Sequence, residues 1–332
     1  MQHKLATWAE EDPTRRFSRL LRLIANRDWL AEAARIVLAS RGASTQGTDG
    51  IDKHKMQGNL DNCLDQLQND LLQGSYLPQP VKRVYIQKAN GKLRPLGIPT
   101  LTDRIVQRAM LMAMDPIWES DFHRCSYGFR PERSVHHAVR TVKLQLQDGT
   151  DSRGRWIIEG DLASYFDTVH HKLLLKCVRK RIADNRFVDL LWRILKAGHI
   201  DQGLFRASSE GVPQGGVLSP LLSNIMLHEF DRWMEGNYLN KKARKDRWAW
   251  NFGIQQRRPI AIRENRQWKP AVAYCRFADD FVVIVKGNKA HADAIREQCR
   301  MFLEDKLKLT LNMEKTHITH VINTANKYSQ DS

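Results

Sequence analysis

An α+β fold is predicted for this chain by three features of its hydropathy pattern. Apolar residues recur at helical spacing in several stretches, beginning with Phe17, Leu20, Leu21, Ile24 and Leu30. Two β-prone runs return on themselves across short polar turns, one at Ala89-Asn90-Gly91 and one at Asp279-Asp280. Between them a short apolar strand, Arg155 to Asp161, ends on an acid.

The 332 residues are enough for a substantial core, and 42% of them are apolar, which excludes a disordered chain. The net charge of +16 and pI of about 9.8 point to a polyanionic partner, nucleic acid first and an anionic membrane surface second. No apolar run approaches the roughly 20 residues of a membrane span, and Met1 to Glu10 lack a signal-peptide core, so no membrane partner and a cytoplasmic location are expected. The five cysteines are scattered without a C-x-x-C pair, which argues against disulfides and zinc modules. The histidines, His136-His137 and His170-His171 included, read as surface or packing residues.

Taken in order, residues 13 to 39 read as a helix and Gly42 to Gly50 as a loop, followed by a helix from Leu60 to Leu72. The hairpin of Val81 to Lys88 and Lys92 to Thr100 presents Lys82, Arg83, Lys88, Lys92 and Arg94. It could grip a triphosphate or a phosphodiester backbone, or be merely a soluble basic hairpin. Helices follow at Asp103 to Trp118, Ser134 to Leu146, His171 to Arg181 and Arg186 to Ala197. Glu210 to Asn224 is a Gly/Pro loop running into a helix that ends near Met234. Gly215 and Gly216 would let the backbone approach a ligand, and Gln214 offers a polar group at the loop tip. No P-loop or G-x-G-x-x-G is present.

Residues 232 to 269 hold eleven basic residues against three acidic ones, with Trp233, Trp248, Trp250 and Trp268 interleaved, a mixture suited to phosphate contact and base stacking. The Asp279-Asp280 hairpin follows, with both acids placed at its tip. A solvated turn is the plain reading of such a pair; Asp161 supplies a third carboxylate that only tertiary folding could bring near. Beyond it come an amphipathic helix from Lys289 to Leu307, strands at Leu309 to Asn312 and His317 to Ile322, and a polar tail.

Four motifs stand in a telling order: Asp161-Leu162-Ala163-Ser164-Tyr165-Phe166, Gly211 to Pro220, Phe277-Ala278-Asp279-Asp280, and Leu311-Asn312-x-x-Lys315-Thr316. With Gly47 to Gly50, Leu93 to Pro99, Asp103 to Gln107 and Tyr127 to Pro131, they resemble the group II intron-encoded reverse transcriptase/maturase family over residues 13 to 321. The resemblance implies a right-hand polymerase fold. It divides into an N-terminal extension (1–75), fingers (76–150), a palm with an antiparallel sheet (151–322, basic insert 232–269) and a disordered tail (323–332).

It also implies an RNA-directed DNA polymerase that takes dNTPs, an RNA template, a DNA primer and group II intron RNA, and that assists splicing and mobility. The implied metal set is Asp161, Leu162, Asp279 and Asp280 around two Mg²⁺ ions, with Mn²⁺ as a substitute. Asp280, on alternating strand faces, either joins that set or orients the turn. Phe166 would exclude a 2′-OH, Gln214 and Gly215 would meet the incoming dNTP, and Lys92 and Arg94 would hold its triphosphate. Lys315 would act as general acid for pyrophosphate. Family members continue past the palm into a thumb. Here the resemblance breaks after Val321, so an absent thumb and impaired processivity are expected. The competing expectation is a non-catalytic splicing factor or remnant that binds intron RNA; a second is a reverse transcriptase of another lineage, and a third, disfavoured by the bulk of Phe166, is an RNA-dependent RNA polymerase.

Overall fold

The structure, a computed structural model, describes residues 1–87, 91, 93–147, 155–239, 248–251, 256–259, 263–264, 267–268 and 270–321. Its helices are α1 (Gln2–Glu11), α2 (Leu20–Ile24), α3 (Arg27–Ala39), α4 (Lys53–Gly58), α5 (Leu60–Gln73), α6 (Leu101–Glu119), α7 (Val135–Gln147), α8 (Tyr165–Thr168), α9 (His171–Val178), α10 (Asn185–Lys196), α11 (Ser219–Met234) and α12 (Lys289–Phe302). Its strands are β1 (Val81–Gln87), β2 (Leu93–Ile98), β3 (Arg155–Gly160), β4 (His199–Asp201), β5 (Leu204–Arg206), β6 (Trp248–Asn251), β7 (Gln256–Pro259), β8 (Arg263–Glu264), β9 (Gln267–Trp268), β10 (Ala271–Phe277), β11 (Asp280–Lys286) and β12 (His317–Val321). Two units result, each discontinuous in sequence: Met1–Phe122 with Ser164–Met226, and His123–Ala163 with Leu227–Ser332.

In the first unit α6 is the central helix, with Ile105, Val106, Ala109, Met110, Ala113, Met114 and Ile117 fully buried against α1, α2 and α3. It starts two residues earlier than the apolar pattern predicts, because the Thr100 hydroxyl accepts from the Asp103 amide and caps it. Of the helix expected over residues 13 to 39, residues 13–19 are not helical, Phe17 bridging to Ile182, and the remainder is broken at Ala25. Asn26, in extended conformation, accepts from the amides of Asp28 and Trp29 and opens a new helix. The basic hairpin forms as expected, but its sheet is wider, in the order β2-β1-β4-β5. The β4–β5 hairpin has no counterpart in the sequence reading. Its strands are three residues long, below what alternation can reveal, and its turn is Gln202-Gly203 with both residues at positive φ.

The second unit is built on the sheet β10-β11-β3-β12, antiparallel throughout. Ile158, Val283, Ile284 and Val285 are fully buried on its two middle strands. The α7 helix packs on β10, α12 on β3, and Phe230 of α11 gathers Tyr274, Phe281 and Phe302 around it. The strand expected at Leu309 to Asn312 is reduced to one bridge, Leu162 to Leu311. Lys308 in the left-handed region turns the chain there, and residues 313–316 bulge out before β12 resumes pairing with β3. The described part of the basic insert holds the end of α11, the turn Glu235–Leu239 and two short ribbons, β6–β7 and β8–β9; most of its Lys and Arg, the Asn90 turn and the tail from 323 lie outside the described residues. No helix among the described residues is long and apolar enough to cross a membrane.

Candidate active site

The register of β3 and β11 decides where the acids fall. Phe281 stands opposite Gly160, and a Cβ at residue 160 would lie 2.2 Å from the Phe281 ring, so only glycine permits this pairing. Continuing the antiparallel register one step sets Asp161 across from Asp280 at the rim of the sheet. Asp280 is thus the first residue of β11, paired with Phe277, and only Asp279 lies in the two-residue turn. The expectation of both acids at the tip is corrected to one.

Burial pushes the Asp279 carboxyl above its ordinary value, and the charge of Asp161 adds to the effect while Lys315 opposes it. Asp280 is raised by burial and then by Asp279 and Asp161. Three carboxylates are therefore held close enough to repel one another, a set that favours a cation.

Asp161 is fastened by the bulge after Leu311. The Asn312 amide donates to the Asp161 carbonyl at 2.8 Å, its side-chain Nδ2 donates to Oδ2 at 3.0 Å, and Lys315 Nζ donates to the same Oδ2 at 3.1 Å. Among the described residues no three His, Cys, Asp or Glu side chains converge as a ready-made metal shell. The Lys315 ammonium instead occupies the Asp161 oxygen, standing in for positive charge. An all-oxygen set of few carboxylates, completed by water and phosphate, suits Mg²⁺ or Mn²⁺, so the residues fit the implied ions. Leu162 is buried, and the bridge to Leu311 is closed by Asn312 to Asp161 and by Ala163 to Thr310, leaving its carbonyl out of that pairing.

Sequence reasoning missed the support beneath the turn. Arg276 donates from Nε to Asp231 Oδ1 at 2.8 Å and from Nη2 to Oδ2 at 2.6 Å, Tyr274 donates its hydroxyl to Oδ1 at 2.7 Å, and Arg276 Nη1 donates to the Ala278 carbonyl at 2.7 Å. Burial alone would push the Asp231 carboxyl up, but the Arg276 guanidinium holds it below the usual range. The available signal was an arginine inside an otherwise apolar strand.

Arg94, Phe166, Gln214 and Gly215 belong to the first unit. A cavity of about 400 Å³ there is lined by Arg83, Phe166, Asp167, His199, Gly211 and Gln214, among others. The Gly/Pro loop is tied to the Phe166 turn, Val212 N donating to the Phe166 carbonyl at 2.7 Å, and to β2, Gly97 N donating to the Gln214 carbonyl at 2.7 Å. Gly215 has φ +99, and a Cβ there would lie 2.9 Å from the Gly97 carbonyl. The close approach its missing side chain allows is to the protein's own strand. Arg94 is exposed and pairs with Ile86, and Lys92 lies outside the described residues.

The profile of the family described as "Reverse transcriptase (RNA-dependent DNA polymerase)" matches residues 86–330. The match runs nine residues past Val321, where the sequence reading put the break in the resemblance. "Protein YkfC" of Escherichia coli (strain K12) is 69% identical over 321 residues, covering 97% of this chain and 84% of that protein. "Group II intron-encoded protein LtrA" of Lactococcus lactis subsp. cremoris is 33% identical over 340 residues, covering 92% of this chain and 55% of its own length. "Nuclear intron maturase 2, mitochondrial" of Arabidopsis thaliana is 25% identical over 271 residues, 66% of this chain and 36% of that one. The chain thus spans little more than half of LtrA.

Proposed function

This chain belongs to the reverse transcriptase (RNA-dependent DNA polymerase) family, and on that premise we propose that it is of the group II intron-encoded reverse transcriptase/maturase branch, as its relative LtrA is named, and that it extends a DNA primer with dNTPs along an RNA template. The observation that carries the reading is the pairing of Gly160 with Phe281, whose register continues to Asp161 opposite Asp280, next to the turn residue Asp279. We assign the second unit to the palm, and β1 and β2 of the first to the fingers.

Asp161 and Asp279 would hold two Mg²⁺ ions, or Mn²⁺ in their place, with Asp280 and the Leu162 carbonyl as further oxygens beside them. Such ions, when bound, make the primer 3′-OH more acidic and offset charge on the reacting phosphate. Asn312 orients Asp161 through its two hydrogen bonds. Lys315 holds a proton at Nζ and would deliver it to the departing pyrophosphate oxygen. Phe166 and Gln214, on one cavity, would receive the sugar and base of the incoming nucleotide, with Gly215, Lys92 and Arg94 toward its phosphates. The net charge of +16 supports binding to a nucleic acid, and a group II intron RNA is the partner we infer because the relative LtrA is named as encoded by such an intron.

Primer extension on an RNA template with Mg²⁺ or Mn²⁺ tests the reading. Extension by the wild type that Asp279→Ala abolishes is expected; equal extension by both, or none by either, overturns it. RNA binding should fall with salt, log K dropping by roughly 0.7–0.9 per unit of log salt for each phosphate neutralised.

A further inference from the structure

Arg276 is 1% exposed and its partner Asp231 is 0% exposed. A buried ion pair is tolerated when its donors are satisfied, and the two-pronged bond to Asp231 uses only two of the five N–H donors of the guanidinium. Arg276 reaches further. Its Nη2 also donates to Ser126 Oγ at 2.7 Å, and its Nη1 donates to the carbonyl of Ala278, the residue directly before Asp279. Its backbone is clamped as well, its amide donating to the Cys125 carbonyl at 2.8 Å and its carbonyl accepting from the Tyr127 amide at 2.9 Å.

Ala278 is a residue that needs holding. It is the first of the two turn residues and has φ 56, a left-handed conformation for which glycine is the usual choice in a tight hairpin. A second segment also meets the turn. A Cβ on Gly128 would fall 2.2 Å from the Ala278 nitrogen, so the segment that carries Ser126 packs directly on the turn.

We infer that Arg276 is a positioning residue: by tying the Ala278 carbonyl to Asp231 and Ser126 it fixes the Asp279 carboxylate, so that divalent-cation affinity depends on a side chain remote from the cation. This rests on the reading of Asp161 and Asp279 as the metal-holding groups. Arg276→Lys keeps a positive charge beside Asp231, but a single ammonium cannot span Asp231, Ser126 and Ala278 together. Gly128→Ala keeps the Arg276 and Asp231 side chains and presses directly on Ala278.

The experiment is a Mn²⁺ titration of the full chain followed by electron paramagnetic resonance, with thermal melting by circular dichroism and RNA binding by fluorescence anisotropy in parallel. Asp279→Ala, Arg276→Lys and Gly128→Ala should each bind Mn²⁺ at least ~10-fold more weakly than wild type, as loss of an outer-shell support does, with RNA affinity within about twofold. Wild-type Mn²⁺ affinity in folded Arg276→Lys overturns the inference and leaves the metal reading standing. Equal binding by wild type and Asp279→Ala overturns both. If Arg276→Lys does not fold, Ser126→Ala, which removes one of the groups that Arg276 ties to the turn, decides by the same criterion.

Discussion

Lys315 reaches back across the bulge between the Leu162–Leu311 bridge and β12 to set its ammonium 3.1 Å from Asp161 Oδ2. The lysine side chain is 66% exposed, against 21% for the aspartate. An ion pair so open to water contributes little to stability, about 0–1 kcal/mol. Its place beside an aspartate of the proposed reaction centre gives it another use.

Replacing Lys315 by Leu should therefore leave the melting temperature nearly unchanged and slow single-turnover nucleotide incorporation by about 10²-fold, the usual weight of a general acid. The same change should leave Mn²⁺ binding as tight or tighter, since the ammonium competes for Asp161. An incorporation rate equal to wild type would end the assignment of Lys315 as acid.

Asp279 sets activity against stability. Its ionised form is opposed by burial and by Asp161, so Asp279→Asn should raise the melting temperature while abolishing primer extension. Calorimetry at neutral pH with the divalent ion removed checks the first part. A lower melting temperature would contradict the repulsion.

Phe166 lines the cavity with its ring while its carbonyl is held by Val212 N. Truncation to alanine should keep that backbone bond and open the space beside it. Ribonucleotide incorporation relative to deoxynucleotide should rise in Phe166→Ala. An unchanged ratio in steady-state kinetics removes Phe166 as the sugar gate.

His228, buried on α11, is pushed down to about 4 from the usual 6.5 by burial. Because the folded value lies below the unfolded one, the unfolded chain binds the extra proton between them. The contribution is complete above pH 6.5 and is lost as pH falls toward 4, by an amount on the order of 3 kcal/mol. Denaturant unfolding at several pH values should show that slope in wild type and a flatter one in His228→Gln.

The apolar periodicities of α5, α6, α7 and α10 and the two principal hairpins were legible because each is a local pattern. The break at Asn26 was not, since a capping side chain competes with an apolar repeat that continues through it. At the candidate site the motifs pointed to Asp161, Asp279, Asp280 and Lys315, and the second unit places all four at one end of its sheet. What stayed hidden was pairwise and long-range: Asn312 on Asp161, Arg276 on Asp231, and Gly128 against Ala278. No residue in those pairs has a sequence neighbour that hints at its partner.

The order β10-β11-β3-β12 also bears on how the protein assembles. Ile158 takes its strand partners from Val283 on one side and Ile318 on the other. During synthesis, β3, just before Asp161, emerges long before either flank and must wait with both edges open. Such distant pairings fold slowly and leave a sticky apolar strand exposed meanwhile. Chaperone dependence and low soluble yield are therefore expected of destabilised β11 or β12 variants, even where the finished sheet would be sound.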